Sequence, residues 1–237
     1  MATTDSPTYD ALCFLPFRDD CPQPSIPNVD DAMEAALRQE IDMQGMLTFA
    51  AIESFIAYGD GLFTKGNKNA FSTEFLPGMQ ARRQYYPWDL DSGFSNTSWD
   101  IYAGGPGQPS KRLFQTDILG HPWFNQEYRN IYQDLINGPL SQSSLTAFLD
   151  QLEPILTPYI AEDPNLSSDF SGVRSYFASR IPNVQGQIGT VVRPPVFSRE
   201  GGEFISGYAL SLAHSNTAGT VYYTTDGSDP RGIGGSL

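Results

Sequence analysis

Three helical patterns in the second half of this 237-residue sequence constrain its fold more than any other feature. The first begins at Pro122 and ends before Gly138, residues that are favoured at the first position of a helix and just beyond its last. Its apolar residues recur at helical spacing and are Phe124, Tyr128, Ile131 and Leu135. Two further helices are predicted over about residues 143–156, interrupted by Pro154, and over residues 170–181. We expect these three helices to carry the core.

The first half of the chain is predicted to begin with an irregular segment followed by two helices. Residues 1–28 are rich in proline and lack a sustained period. Helical spacing of apolar residues then predicts helices over 29–43 and 47–58, and Gly59 is placed to end the second one. Asp60 is therefore expected just beyond a helix C-terminus, at the mouth of a loop.

A short β-hairpin is predicted after this loop. Residues 70–75 and 84–88 are rich in strand-forming residues and are separated by the turn sequence LPGMQA. Asp89 and Asp91 follow the second strand directly, within the run PWDLD. Residues 92–121 are rich in Gly, Ser, Asn and Pro, and this composition predicts a long loop.

Composition bounds the class of partner. The chain has 27 acidic and 14 basic residues, a formal net charge of −13, and 40% hydrophobic residues, which is ordinary for a globular protein. Nucleic acid is a poor partner because its phosphates would meet net repulsion and no basic stripe is visible. No run approaches the roughly 20 apolar residues that a membrane-spanning helix needs. We therefore expect a protein without a membrane span.

Cys13 and Cys21 are the only cysteines, and they lie in a proline-rich segment. No further ligands stand at a spacing that would complete a zinc site. A small disulfide loop and two unpaired thiols are both consistent with this spacing.

The region 191–237 differs in composition and reads as β-rich. Residues 208–213 and 220–225 are predicted strands, and DGSDP after the second is a strong turn signal. A β-sandwich needs more strands than this stretch can supply. The expectation is an incomplete second domain, which follows a first domain over residues 29–190.

Asp60, Asn69 and Asp89 form the constellation that could carry chemistry. Phosphoryl transfer needs Mg²⁺ held on hard oxygen ligands against the phosphates, and a carboxylate that orients the attacking hydroxyl. A loop Asp after a helix, an Asn before a strand and a second Asp after a hairpin could supply that set. Asp and Asn are also common turn residues, so the spacing alone leaves both interpretations open.

The sequence itself resembles the CotH kinase family, the atypical kinases similar to spore coat protein H. The resemblance is carried by AIESFIAYGDGLFTKGNKNAF, by RRQYYPWDLDSGF and, more weakly, by HPWFNQEYRNIYQDLINGPLS and SYFASRIPNVQGQI, over roughly residues 28–190. It implies an α+β fold, with a mostly helical kinase-like C-lobe and a short hairpin. It also implies transfer of phosphate from ATP to serine or threonine of secreted or surface proteins, with Mg²⁺ or Mn²⁺ bound.

Carried over by position, the resemblance implies that Asp60 is the catalytic base, that Asn69 and Asp89 bind the metal, and that Asp91 is a supporting or alternative ligand. The glycine loop and strand lysine that hold the nucleotide in kinases have no counterpart in the residues before Asp60. We therefore expect the N-lobe to be missing and this chain alone to be nearly inactive. The alternative is a non-catalytic extracellular binding or scaffold protein of the CotH type.

The tail carries a second resemblance. The stretch PVFSREGGEFISGYALSLAHSNTAGTVYYTTDGSDPR is similar to the chitobiase/β-hexosaminidase C-terminal type module, a small accessory β-sandwich. The resemblance implies a secreted or cell-surface protein, with surface or carbohydrate association through this truncated module.

Overall fold

The computed structural model describes residues 31–63, 69–73, 82–102, 118–199, 203, 205–226 and 230. The elements in chain order are helices α1 (Asp31–Glu40) and α2 (Met43–Phe55), strands β1 (Ala70–Ser72) and β2 (Tyr85–Pro87), a 3₁₀ turn (Leu90–Ser92), helices α3 (Pro122–Asn137), α4 (Gln142–Ile160) and α5 (Ser171–Ile188), and strands β3 (Val196–Phe197) and β4 (Leu212–Ala213). The predicted α+β class is confirmed in this coarse form: helices with small antiparallel sheets. The proline-rich residues 1–28, Cys13 and Cys21 lie outside the described residues.

Helix α2 lies at the centre of the helical core. It is apolar on every side, and such a helix is stable only when other elements cover it. It packs against α3 and β2, while α5 packs against both α3 and α4. The buried core includes Leu47, Phe55, Phe124, Tyr128 and Val184. The three predicted core helices are therefore confirmed, and α2 is a fourth helix of the same core.

The break between the first two helices comes earlier than the predicted one after residue 43. Helix α1 ends at Glu40, and the carboxylate of Asp42 accepts a hydrogen bond from the Gly45 amide at 3.0 Å, which caps α2. Arg83, before β2, accepts from the Asp42 amide at 2.9 Å and donates to the Glu40 carbonyl at 2.8 Å. These contacts hold the start of the second hairpin strand against the helix break.

Two predicted helix ends are wrong, and both errors concern proline. Helix α4 continues through Pro154 and Pro158 to Ile160, and α5 continues through Pro182 to Ile188. A proline costs a helix one hydrogen bond and brings its ring against the preceding turn. In α5 the later turns bury Val184 and Ile188, and this burial outweighs that cost.

Arg180 on α5 is a fully buried cation that ties α2 to the loop after the hairpin. Its guanidinium donates to the carbonyls of Ser54 at 2.7 Å and Phe55 at 3.0 Å, at the end of α2. It also donates to the carbonyls of Trp99 at 2.6 Å and Thr97 at 3.1 Å. Burial lowers the pKa of Arg180, and the carbonyl oxygens replace the water that this charge has lost.

The β-hairpin is confirmed, although its strands are shorter than predicted. Strands β1 and β2 pair antiparallel, with Phe71 opposite Tyr86. Residues 74–81, which include the predicted turn, lie outside the described residues. Within the predicted long loop, the described parts contribute Trp99, Ile101 and Leu119 to the core.

The tail forms less sheet than predicted. Of residues 208–213 only Leu212–Ala213 is a strand, which pairs with Val196–Phe197, and residues 220–225 form no strand. Ile205 and Tyr223 are exposed, so no second layer covers these apolar side chains in the described tail. None of the described helices is long and apolar enough to cross a membrane.

Candidate active site at the end of helix α2

Tyr58, just beyond α2, connects two of the predicted site residues. Its side chain is buried, and its hydroxyl donates a hydrogen bond to the main-chain carbonyl of Asp89. The same hydroxyl accepts a hydrogen bond from the Nδ2 atom of Asn69. The Trp88 amide donates to the Asn69 carbonyl at 2.9 Å, which closes the pairing across the hairpin. Asn69 and Asp89 are therefore held on one phenol.

The predicted carboxylates lie around the same hydroxyl. Burial is the largest cause that raises the pKa of Tyr58, and the negative charges of Asp89, Asp60 and Asp91 raise it further. The hydrogen bond from Asn69 acts in the opposite direction. The structure thus brings the four predicted site residues together.

The groups that could bind a metal at this point are all oxygen atoms. The side chains of Asp89 and Asp91 are exposed, and Asp91 accepts a hydrogen bond from the Ser92 hydroxyl at 3.0 Å. Within the described ranges, no residue donates a hydrogen bond to the Asp89 carboxylate. Because the Asn69 amide uses its Nδ2 on Tyr58, its Oδ1 remains the acceptor atom.

The set fits a metal that the protein holds only in part. In the part of the chain that is described, no group of three or more His, Cys, Asp or Glu side chains could enclose an ion. Mg²⁺ is commonly bound through one or two carboxylates, with waters and substrate phosphates completing its octahedron. Asn69, Asp89 and Asp91 are therefore consistent with a partial Mg²⁺ shell rather than a closed one.

Left-handed backbone conformations gather at the site. Among the described non-glycine residues, those with positive φ are Ala57 at 54°, Asn69 at 54°, Asp89 at 54° and Phe94 at 63°. Asn and Asp tolerate this region, whereas for Ala and Phe it costs about 1 kcal/mol or more. Such backbone persists only where its surroundings enforce it, and it is frequent at functional sites.

The ring and backbone of Phe94 supply part of that enforcement. The Phe94 amide donates to the Ile56 carbonyl at 2.5 Å. Its ring packs edge-on against Tyr176 and Phe177 of α5, with centroids 5.3 Å and 5.7 Å away. The segment after Asp91 is therefore fixed to the helical core.

Glu53 organises the loop that begins at Asp60. It is only 1% exposed, and its two carboxylate oxygens accept hydrogen bonds from the Leu62 amide at 2.9 Å and the Phe63 amide at 3.0 Å. Burial raises the pKa of Glu53 to about 7, although both hydrogen bonds favour the ionised form. Gly61 allows this approach, because a Cβ atom there would lie 2.6 Å from the carboxylate carbon.

Exposed aromatic rings border the site. Trp88 is 60% exposed and Phe71 is 57% exposed, and their ring centroids are 5.4 Å apart in an edge-on arrangement. Because Trp88 directly precedes Asp89, exposed apolar surface adjoins the candidate ligands.

A separate groove of about 810 Å³ lies between α3 and the tail, and none of the four predicted site residues lines it. Its arginines are paired: Arg38 contacts Glu127 at 2.8 Å, and Arg193 contacts Asp134 at 2.5 Å. Because carboxylates neutralise these cations, the groove is a poor match for a phosphate group.

The geometry of the site does not by itself show which protein family the chain belongs to, but comparison with family models does. The family model described as "CotH kinase protein" matches residues 25–189, which is more than half of the chain. The chain belongs to the CotH kinase family. No curated protein and no solved structure matches the chain significantly.

Within this member of the CotH kinase family, the sequence indicates the candidate site residues but not the buried residues that hold them. The sequence alone predicts Tyr58, Glu53 and Arg180 only as parts of helical segments. A buried acid leaves one signal, a charged residue inside an otherwise apolar helix, and Glu53 fits it within FAAIESF. Tyr58 gives no such signal, because tyrosine is common in cores.

Proposed function

We propose that this chain carries the metal-binding part of a phosphotransfer site that moves the γ-phosphate of ATP to serine or threonine of a protein substrate. The single observation that supports it most strongly is the Tyr58 hydroxyl, which holds Asn69 and Asp89 together. Membership in the CotH kinase family supports the same conclusion.

Asp60 would accept the proton of the attacking hydroxyl group. It lies in a loop beyond α2, and it is half-buried, so an acceptor can reach it. Oδ1 of Asn69 and the Asp89 carboxylate would hold Mg²⁺, with Asp91 as a supporting ligand. The bound ion would neutralise charge on the β- and γ-phosphates.

Electrostatics favour a cation at this point. The charges of Asp60, Asp89 and Asp91 all act on one phenol, so the three carboxylates repel one another. A divalent ion would relieve that repulsion while attracting the phosphates of ATP, which the chain's net charge of −13 would otherwise repel. The same surface charge would favour a basic protein substrate.

The tail suggests where the protein works. We propose that residues 191–237 are part of an accessory module of the chitobiase/β-hexosaminidase C-terminal type, and that the protein is secreted or displayed at the cell surface. The ion pair between Arg193 and Asp134 would attach this module to α3. Carbohydrate or cell-surface association would then be the role of the tail, separate from phosphate transfer.

The test is phosphate transfer by the full-length protein, with Mg²⁺, ATP labelled at the γ-phosphate and a serine-rich acceptor protein. Asp89→Ala is expected to abolish incorporation of label into serine, because the principal metal ligand is lost. Asp163→Ala is the matched control, since Asp163 is an exposed loop aspartate outside the site. Equal incorporation by wild type and Asp89→Ala would instead favour the non-catalytic scaffold.

A further inference from the structure

The loop that carries Asp60 is attached to α2 by the buried carboxylate of Glu53, beside the contact between the rings of Phe63 and Phe49, whose centroids are 5.5 Å apart. The proposed role of Asp60 makes two structural demands. Its carboxylate must be accessible to a substrate, and its backbone must be held in a fixed position. Glu53 lies on α2, seven positions before Asp60. Its carboxylate accepts hydrogen bonds from the backbone amides of Leu62 and Phe63, which follow Asp60 in the chain. We propose that Glu53 is the positioning residue of this site, which fixes the Asp60 loop against α2 for phosphate transfer; the inference rests on the proposed function.

A carboxylate suits this task better than any other side chain. Two consecutive amides point at one carboxyl group, and each of its two oxygens accepts one of these hydrogen bonds. A glutamine would accept only one of these bonds and would turn its NH₂ group toward the other amide. In the described part of the chain, no cation pairs with Glu53, so these two bonds are what compensates its burial.

Gly61 leaves the space that the Glu53 carboxylate needs in order to reach the loop. A Cβ atom at position 61 would lie 2.6 Å from Oε1 and 2.7 Å from Oε2 of Glu53, closer than real Cβ contacts come. An alanine there would push the loop away from α2 without altering the chemistry of any candidate ligand. The two positions are therefore expected to act as one unit.

The same end of α2 serves both halves of the site. Through Glu53 it holds the loop of the proposed base, and through Tyr58, five residues later, it holds Asn69 and Asp89. Because misplacement by about 1 Å can cost on the order of a hundredfold in rate, a shift of the Asp60 loop alone would slow transfer. Binding of ATP through the metal ligands would be little affected.

The experiment compares Glu53→Gln with Glu34→Gln in the full-length protein, with Mg²⁺, ATP and the serine-rich acceptor. Glu34 is the matched control, because it is a buried glutamate whose partner is Arg38 rather than the loop. For Glu53→Gln we expect kcat to fall about tenfold to a hundredfold, with a KM for ATP close to that of the wild type. An unchanged kcat in Glu53→Gln, or an equal loss in Glu34→Gln, would overturn the proposal.

A second set of variants guards against a folding defect in Glu53→Gln. Gly61→Ala is expected to show the same fall in kcat. Combining Gly61→Ala with Glu53→Asp, which withdraws the carboxylate by one methylene group, is expected to lose less than the product of the two single losses. A double variant that loses the full product would contradict the coupling.

Failure of the proposed function would look different. If the wild type transfers no phosphate, that function is wrong, and the positioning role is then judged by NMR on the 237-residue chain. The amide signals of Leu62 and Phe63 are expected to move in Glu53→Gln and to stay in place in Glu34→Gln. Signals that are unchanged in Glu53→Gln would overturn the positioning role as well.

Discussion

The hydroxyl group of Tyr58 donates a hydrogen bond to the main-chain carbonyl of Asp89, so the residue that follows PW in PWDLD is fixed by a side chain thirty-one positions earlier. The contact is made through the backbone, which leaves the Asp89 carboxylate exposed. Tyr58 therefore sets the position of Asp89 without engaging its carboxylate.

Tyr58→Phe tests that relationship. The variant removes the hydroxyl that serves both Asn69 and Asp89, so two hydrogen bonds are lost. We expect the free energy of unfolding to fall by about 1–3 kcal/mol, measured by urea denaturation. Tyr86→Phe, at an exposed tyrosine of the hairpin, is the control and should leave the free energy of unfolding nearly unchanged.

Arg180→Met tests the buried cation that joins α2 to the loop after the hairpin. The variant keeps the volume but removes the charge-assisted hydrogen bonds that the guanidinium donates to the carbonyls of Ser54, Phe55, Thr97 and Trp99. We expect a loss of about 3–5 kcal/mol in the free energy of unfolding. The exposed Arg82→Met should cost little in the same measurement, and an equally stable Arg180→Met would show that these bonds add nothing.

Glu53 predicts a pH dependence of stability. Its pKa in the folded chain is about 7, above the ordinary 4.5, so between these values the folded state binds more protons than the unfolded state. The contribution of Glu53 to stability is therefore full below about pH 4.5 and is lost as the pH rises through 7. From pH 5 to pH 8 this loss amounts to about 2–3 kcal/mol.

The measurement is the difference in unfolding free energy between wild type and Glu53→Gln at the two pH values. Because other titrating groups cancel in that difference, it should shift in favour of Glu53→Gln by this amount at pH 8. Parallel pH dependences of the two proteins would show that Glu53 titrates as an ordinary glutamate.

Periodicity predicted α3 between Pro122 and Gly138, with Phe124 and Tyr128 in the core. The stripe continues through Tyr132 and Ile136, however, and the predicted Ile131 and Leu135 are only partly buried. Periodicity failed at Pro154 and Pro182, where burial of the following turns overrides a local helix breaker. It also overstated the tail, where β-rich composition predicts strands that need a second layer to pair against. Local sequence rules do not include that partner.

For the candidate site, too, the sequence predicts some residues and leaves others unpredicted. The sequence motifs predict four site residues, and the structure places them near Tyr58: Asp60, Asn69, Asp89 and Asp91. The supporting residues could not be predicted, because their roles depend on contacts between distant segments. Arg180, for example, contacts a carbonyl 126 positions away.

The most direct test of the central claim, that Asp89 is the centre of a metal site, is paramagnetic line broadening by Mn²⁺ in NMR spectra of the chain. We expect low concentrations of Mn²⁺ with ATP to broaden the amide signals of Asn69 and of residues 88–91 first. This selective broadening should be lost in Asp89→Ala and kept in Asp163→Ala. Broadening spread evenly over the acidic surface, or unchanged in Asp89→Ala, would contradict the account.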